Sequence, residues 1–220
     1  MGILLGSSIA AAAIAYQRYP KRRLLLIIAI IFMLQCYLIA SPSWGANSDG
    51  MVTAPIAFLV TLFLLGDFKL GWRLIGVIIG VTLLATIGFT YYDMLRVPEL
   101  QTHLGRAANQ IAAGGLSEGL TIVARKLTMN LKLIRYTIWS WVFIVILLVI
   151  SLLVYSPVGA MMRLRQEKPY IVKGFGGIIA AALVGLVIND SGIVAASTTS
   201  IYLVVIIILL MLHQQGKDSN

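Results

Sequence analysis

The chain has 220 residues, of which 60% are apolar and 11% charged, with 17 Lys and Arg against 8 Asp and Glu. An average soluble domain is about 25% charged and about 45–50% apolar. This balance excludes a soluble globular enzyme, a disordered chain and a disulfide scaffold, and it favours a polytopic membrane protein.

The net charge of +9 has an explanation in membrane topology. Membrane proteins concentrate Lys and Arg in short cytoplasmic loops, and neither zinc-finger spacing nor a basic helix outside the membrane plane supports nucleic-acid binding. We therefore expect the lipid bilayer, and no nucleic acid, as a partner. The single cysteine, Cys36, lies inside an apolar run, where we expect it to pack in the core.

Seven apolar runs predict an all-α, polytopic transmembrane bundle that forms a single membrane domain over 1–220. They are 3–16, 24–40, 51–66, 74–90, 136–155, 174–188 and 193–212. The first run is the shortest, because its residues extend roughly 21 Å as a helix against a hydrocarbon core of about 30 Å. If this run does not cross, six spans remain.

The distribution of Lys and Arg predicts the orientation. Of the 17 basic residues, 11 lie in segments 17–23, 67–73 and 157–173 and in the tail after 212. We therefore place these segments on the cytoplasmic side of a bacterial cytoplasmic membrane. The remaining six lie in one long outer loop, 91–135. The N-terminus is then outside and the C-terminus inside; the N-terminus moves inside if the first run does not cross.

Small residues at a spacing of four predict close helix packing. Gly76 and Gly80 form such a pair on the fourth span, and Gly177, Ala181 and Gly185 repeat the spacing on the sixth. Small side chains let backbones approach closely in lipid, where burial of apolar surface gives no driving force.

The outer loop predicts a short helix over 99–113 and an amphipathic helix over 117–135. The second has a polar face and apolar residues over most of the rest, as is typical of a helix in the membrane interface. It can continue straight into the fifth span. The polar face consists of Glu118, Thr121, Arg125, Thr128, Lys132 and Arg135.

With this threading, polar residues gather on the outer side. Asn47 and Asp49 follow the second span, Asp93 ends the fourth, and His103 and Arg106 come shortly after it. The carboxylate, imidazole and guanidinium groups of the last three can serve as base, acid and phosphate clamp. The alternative is a solvated loop without a site.

The turn at 189–192 separates the last two spans. A short, glycine-interrupted segment such as the sixth span is a usual pointer to a binding site in a membrane bundle. If the turn lies below the surface, Asp190 is an intramembrane carboxylate and a functional candidate, flanked by Asn189 and Ser191. The alternative is an ordinary tight turn, since all four residue types favour turns.

The sequence contains no P-loop, HExxH, GxSxG or CxxC motif. The catalytic candidates are Asp93, His103 and Asp190. The substrate-binding candidates are Asn47, Asp49, Arg106, Arg125, Asn189 and Ser191. The sequence identifies no cofactor, but Asp49, Asp93 and Asp190 are candidate ligands for a divalent cation, which can bridge to a phosphate.

The order of several short motifs resembles one group of proteins. These motifs are residues 45–47, 49–50, Asp93, 102–106, 125–126 and 189–192. They are similar to the C-terminal membrane region of large bacterial multispanning proteins described as alkaline-phosphatase-superfamily-like. The resemblance implies a detached membrane half or the partner of another chain. This chain lacks a soluble phosphatase-like domain, so the resemblance does not transfer catalysis to it.

Three functions remain open at this stage, and enzymatic activity is undecided. The first is an outward-facing polar site for an anionic envelope or lipid-linked substrate. The second is a small-solute or ion transporter, suggested by Asp190 in a broken helix pair. The third is a non-catalytic assembly subunit that docks another membrane chain through the glycines of the sixth span.

Overall fold

The computed structural model describes residues 1–155 and 159–218, and these residues form helices without strands. In chain order the helices are α1 (Gly2–Arg18), α2 (Arg22–Ala40), α3 (Ser48–Leu65), α4 (Trp72–Met94), α5 (His103–Gly114), α6 (Leu116–Tyr136), α7 (Ile138–Tyr155), α8 (Gly159–Glu167), α9 (Pro169–Ile188) and α10 (Gly192–Asp218). A short 3-10 turn, Pro98–Leu100, precedes α5. The all-α prediction is confirmed.

Among the described residues, five helices are long and apolar enough to cross a membrane: α2, α3, α4, α9 and α10. Helices α6 and α7 add a sixth crossing if the bent pair acts as one span. The predicted multispanning helical architecture is therefore supported. The count of about seven spans is not confirmed, because α1 falls outside this set.

Helix α9 lies at the centre of the bundle, packed against α1, α3 and α10. Its small residues allow this close approach. A Cβ atom on Gly177 would collide with the hydroxyl of Thr61 on α3, and one on Gly174 would collide with Ala13 on α1. The predicted packing role of the small residues on the sixth span is confirmed.

The prediction that Gly76 and Gly80 on α4 allow close helix packing is wrong for the described residues of this chain. A Cβ atom on either residue would meet open space. Large side chains such as Val81 and Leu84 are at least half exposed on the same helix. Helices α2 and α4 thus lie at the periphery and present apolar surface suited to lipid.

Helix α9 begins at Pro169 and has 20 residues, so the expectation of a short sixth span is wrong. Pro169 occupies the first turn, where its missing N–H costs nothing. The next N–H, from Tyr170, donates to the Gln17 side-chain oxygen at 2.9 Å. Lys173, the fifth residue of α9, interrupts the apolar run, which is why hydropathy places the start too late.

Helix α1 runs antiparallel to α9 along its length. Gln17 meets the start of α9, while Met1 lies beside Asn189 at its end, 4.0 Å from Sδ to Nδ2. Eight residues of α1 are buried, including Leu5 and Ile9 in the core of the bundle. At 1.5 Å per residue its 17 residues extend roughly 26 Å.

The antiparallel arrangement gathers the connecting segments 41–47, 95–137 and 189–191 at one end of the bundle, here named the loop end. The opposite end has its own polar cluster. There Lys173 on α9 forms an ion pair with Asp67 after α3, and the Tyr170 hydroxyl donates to the same carboxylate at 3.5 Å.

The amphipathic helix predicted over 117–135 is confirmed as α6, but it does not continue straight into the fifth span. The two helices meet at 79°. Thr137 has extended backbone at the junction, and its hydroxyl accepts a hydrogen bond from the N–H of Trp139 at 3.5 Å. A Thr in this position caps the new helix and thereby ends the old one.

We predict that Gly177→Ala destabilises the bundle, whereas Gly80→Ala does not. The added methyl group at Gly177 must displace Thr61, and overpacking of this kind costs about 1–3 kcal/mol. The Gly80 methyl group enters open space. Thermal unfolding in a mild detergent should show a lower Tm for the first variant alone, and equal Tm values would contradict the packing described here.

Candidate functional site

The centre of the loop end is a cluster of one ammonium group and two carboxylates. Lys126 on α6 places Nζ 2.5 Å from Oδ1 of Asp49 and 3.1 Å from Oδ1 of Asp190. The backbone N–H of Asp190 also donates to Oδ2 of Asp49 at 3.4 Å. This group, here named the Lys126 cluster, joins three segments that are far apart in sequence.

The fold places each member of the cluster by local structure. Asn47 caps α3, accepting a hydrogen bond from the N–H of Gly50 at 2.6 Å, and this fixes Asp49 in the first turn. A carboxylate there interacts favourably with the helix dipole. Asp190 lies in the turn that links α9 to α10.

Lys126 lies outside the five membrane-length helices, and its environment maintains its charge. Partial burial alone would lower the pKa of the ammonium group. The hydrogen bonds to Asp49 and Asp190 outweigh that effect, so the pKa of Lys126 is raised above its usual value. One ammonium group against two carboxylates gives the cluster a formal charge of −1.

Asn130, one helical turn after Lys126, makes a second attachment of α6 to the bundle. Its side-chain nitrogen donates to the carbonyl oxygen of Leu186 at 2.7 Å, and its oxygen accepts from the N–H of Ile193 at 3.3 Å. These are backbone groups at the end of α9 and the start of α10. Asn130 therefore satisfies groups that helix ends leave without partners.

The turn at 189–191 has the geometry of an ordinary polar turn. The side-chain oxygen of Asn189 accepts from both the N–H and the hydroxyl of Ser191, at 2.9 and 3.1 Å. The Asp190 side chain is 57% exposed. It is therefore not a buried carboxylate, which was the condition attached to its intramembrane role.

Asp93 belongs to a separate arrangement at the junction of α4 and α5. The residue is 2% exposed. Its carboxylate accepts hydrogen bonds from the N–H and hydroxyl of Thr102, at 3.0 and 2.7 Å, and from the N–H of Gly105 at 3.0 Å. Arg96 adds an ion pair at 3.4 Å. This set holds the start of α5 against α4.

His103 and Arg106 lie on the exposed side of α5, with 3.4 Å between the guanidinium nitrogen and Nδ1 of the imidazole. The structure thus brings residues 93 and 102–106 together. However, the hydrogen bonds of Asp93 run to Arg96, to Thr102 and to the N–H of Gly105, so the carboxylate acts as an anchor for α5.

The three carboxylates proposed for a cation lie in different surroundings. Asp49 and Asp190 share Lys126, whereas Asp93 accepts bonds from α5. Among the side chains that the structure describes, no group of three or more His, Cys, Asp or Glu has the spacing of a metal site. A divalent cation at these residues stays a prediction.

Sequence reasoning missed Lys126 and Asn130. A signal existed, because both are polar, stand four residues apart and lie on the side of α6 away from its polar face. A lone polar pair on the apolar side of an amphipathic helix indicates a buried partner. The other half-buried residues of α6 lie on this same side: Gly119, Ile122 and Leu133.

The opposite side of α6 carries exposed cations that have no carboxylate partner among the described side chains. Arg125, Lys132 and Arg135 are exposed and, in the part of the chain that the structure describes, form no ion pair with a carboxylate. Arg135 stacks over the ring of Tyr136, 5.6 Å from its centre. We name these three residues the basic face of α6.

Comparisons with known protein families, curated proteins and solved structures gave no match to this chain. The resemblance to alkaline-phosphatase-superfamily-like membrane regions therefore stays a prediction.

We predict that Asp93→Ala loosens α5 without unfolding the bundle. Loss of the carboxylate leaves the N–H groups of Thr102 and Gly105 without partners, at about 1–3 kcal/mol each. Hydrogen exchange should quicken across 102–106. Glu99→Gln, an exposed change in the same loop, is the control and should leave exchange unchanged. Unaltered protection in Asp93→Ala would contradict the anchoring role.

A second prediction concerns the coupling of Lys126 and Asp49. Each of Lys126→Met and Asp49→Asn should lower the free energy of unfolding, and the double variant should lose less than the sum. Charge-assisted hydrogen bonds contribute about 1.5–3 kcal/mol, and the partial exposure of this pair favours the lower value. A double-mutant cycle measures the coupling. Lys132→Met with Asp49→Asn is the matched control and should be additive.

Proposed function

We propose that this chain is an integral membrane protein that binds the anionic headgroup of a lipid or lipid-linked molecule at its loop end. The basic face of α6 is the observation that carries the proposal. Three exposed cations on one helix face have no carboxylate partner among the described residues. The proposal assigns binding at this face and assigns no reaction.

Charge distribution supports an anionic ligand at α6 and not at the Lys126 cluster. The cluster already pairs its one ammonium group with two carboxylates, so an anion there would have to displace Asp49 or Asp190. Among the described side chains, no carboxylate competes for the basic face in this way. Each Lys or Arg near an anionic membrane surface contributes about 1 kcal/mol of attraction. Arg125 is thus the substrate-binding candidate that the geometry supports best.

We further propose that α1 crosses the membrane, as does α7 after the bend, which makes seven crossings with the five membrane-length helices. Helix α1 accompanies α9, a membrane-length helix, from one end to the other and is buried against it. Helix α1 is short for a span, but the neighbouring helices bury its apolar residues in the core of the bundle. With this crossing, positive charge in the short connections of the opposite end favours a loop end outside a bacterial cytoplasmic membrane.

The two other candidate functions have less support. The transporter hypothesis is based on Asp190 in a broken helix pair, but this side chain is 57% exposed in an ordinary polar turn. The assembly proposal relied on the small residues of α9, but Gly177 faces α3 and Gly185 lies near α10 within the same chain. A partner helix would therefore have to use another surface, such as the exposed face of α4.

A lipid-binding measurement tests the proposed function. The purified chain in a non-ionic detergent is titrated with two 16-carbon lysolipids, lysophosphatidylglycerol and lysophosphatidylcholine, which differ in headgroup charge. We expect tighter binding of the anionic lipid, detected by native mass spectrometry. Changing Arg125, Lys132 and Arg135 to Gln should remove up to about 100-fold of affinity for it at low salt.

The matched control removes three exposed charges from the opposite end of the bundle: Lys21, Lys69 and Arg73. This triple Gln variant should keep the preference for the anionic lysolipid. Equal binding of the two lysolipids by the unmodified chain would contradict the proposed function.

Cysteine labelling tests the orientation. In a Cys36→Ser background, a membrane-impermeant maleimide added to intact cells should label Ser43→Cys at the loop end and not Gln166→Cys on α8; both positions are exposed. Labelling of Gln166→Cys alone would invert the proposed threading.

A further inference from the structure

A groove opens on the side of the bundle near the loop end, between α1, α2 and the segment before α3. Its volume is about 400 Å³. Ligand pockets in proteins typically measure about 300–1,000 Å³. The walls are mainly apolar and include Met1, Leu4, Gln35, Leu38, Ile39 and Trp44.

The position of the groove indicates where an occupant would come from. Helix α2 has the length and hydropathy of a membrane span, and most of its surface is exposed. Leu4 is 41% and Leu38 is 37% exposed in the groove walls, so the groove opens toward the hydrocarbon region. Trp44 is 77% exposed at the end of the groove nearest the loops. Tryptophan favours the membrane–water interface.

Gln35 contributes a polar side chain to this mainly apolar groove. Its side-chain nitrogen donates to the hydroxyl of Ser8 at 2.9 Å, but its oxygen is buried and has no hydrogen-bond partner among the described residues. Turning the amide over exchanges the two atoms and still leaves one of them unpaired. In this conformation the oxygen has no surface open to the groove, so an occupant reaches it only when the Gln35 side chain turns. Because a buried polar atom without a partner is destabilising, an occupant that supplies one on that movement would gain affinity.

We infer that the groove binds one hydrocarbon chain of a membrane lipid, with a hydroxyl or amide N–H of that lipid donating to Gln35. The apolar walls select the chain, and the free carboxamide oxygen selects a lipid with a donor near its headgroup. This inference concerns the chain of a lipid. It is independent of the proposed function, which concerns headgroup charge at α6.

The test uses two probes with the same 16-carbon chain and the same zwitterionic headgroup. Lysophosphatidylcholine has a free hydroxyl, and hexadecylphosphocholine has none. Native mass spectrometry of the full chain in a non-ionic detergent should show one tightly bound lysophosphatidylcholine. Leu38→Trp fills the groove and should weaken binding at least tenfold. Leu34→Trp is the control, since Leu34 is an exposed residue of α2 outside the groove.

Gln35→Leu keeps the approximate size of the side chain and removes its polar atoms. It should weaken lysophosphatidylcholine binding about tenfold and leave hexadecylphosphocholine binding unchanged. Equal lysophosphatidylcholine binding by the unmodified chain and by the Leu38→Trp variant would overturn the groove assignment. The absence of stoichiometric lysophosphatidylcholine binding would overturn it too. An equal effect of Gln35→Leu on both probes would overturn the role of Gln35. Loss of the preference for anionic lipid, with groove binding intact, would instead count against the proposed function.

Discussion

The arrangement of the loop end depends on one ammonium group that two carboxylates share. Lys126 brings α6 to the first turn of α3 and to the turn between α9 and α10. With Asn130 it fixes which side of α6 faces the bundle. Because residues on the opposite side must then face outward, the basic face of α6 is a consequence of this attachment. The ion pairs of the Lys126 cluster thus determine the direction in which the basic face of α6 points.

The attachment in turn depends on packing in the middle of the bundle. The end of α9 reaches Asp49 only because its small residues let α3 and α1 approach closely. In lipid this approach relies on van der Waals contact between complementary surfaces, since apolar side chains gain nothing by leaving an apolar solvent. Packing of Gly177 against Thr61 and pairing of Asp49 with Lys126 therefore support the same geometry, one inside the bundle and one at its end.

Hydropathy predicted the helical architecture, and five of the seven apolar runs lie within four residues of a helix at both ends. Its main errors were the start of α9, where Lys173 interrupts the apolar run and five helical residues are missed, and the end of α10, which continues six residues beyond the run. Small-residue spacing predicted the packing of Gly177 but not the exposure of Gly80, because spacing alone does not say whether a neighbour is present. Because successive spans alternate in direction, the sequence predicted that Asp49 and Asp190 lie at the same end of the bundle. Their link through Lys126 joins residues far apart in sequence, and local pattern carries no information about such a contact.

The central claim is that α6 lies with its Lys126 side against the bundle and its basic face outward. Spin labels in a Cys36→Ser background, with the protein in lipid nanodiscs, test this without altering the Lys126 cluster. Labels at Ile122 and Leu133 report the inner side, and labels at Thr121 and Thr128 report the outer side. The account predicts that a water-soluble relaxation reagent reaches the outer pair and is excluded from the inner pair. Equal accessibility at all four positions would contradict it.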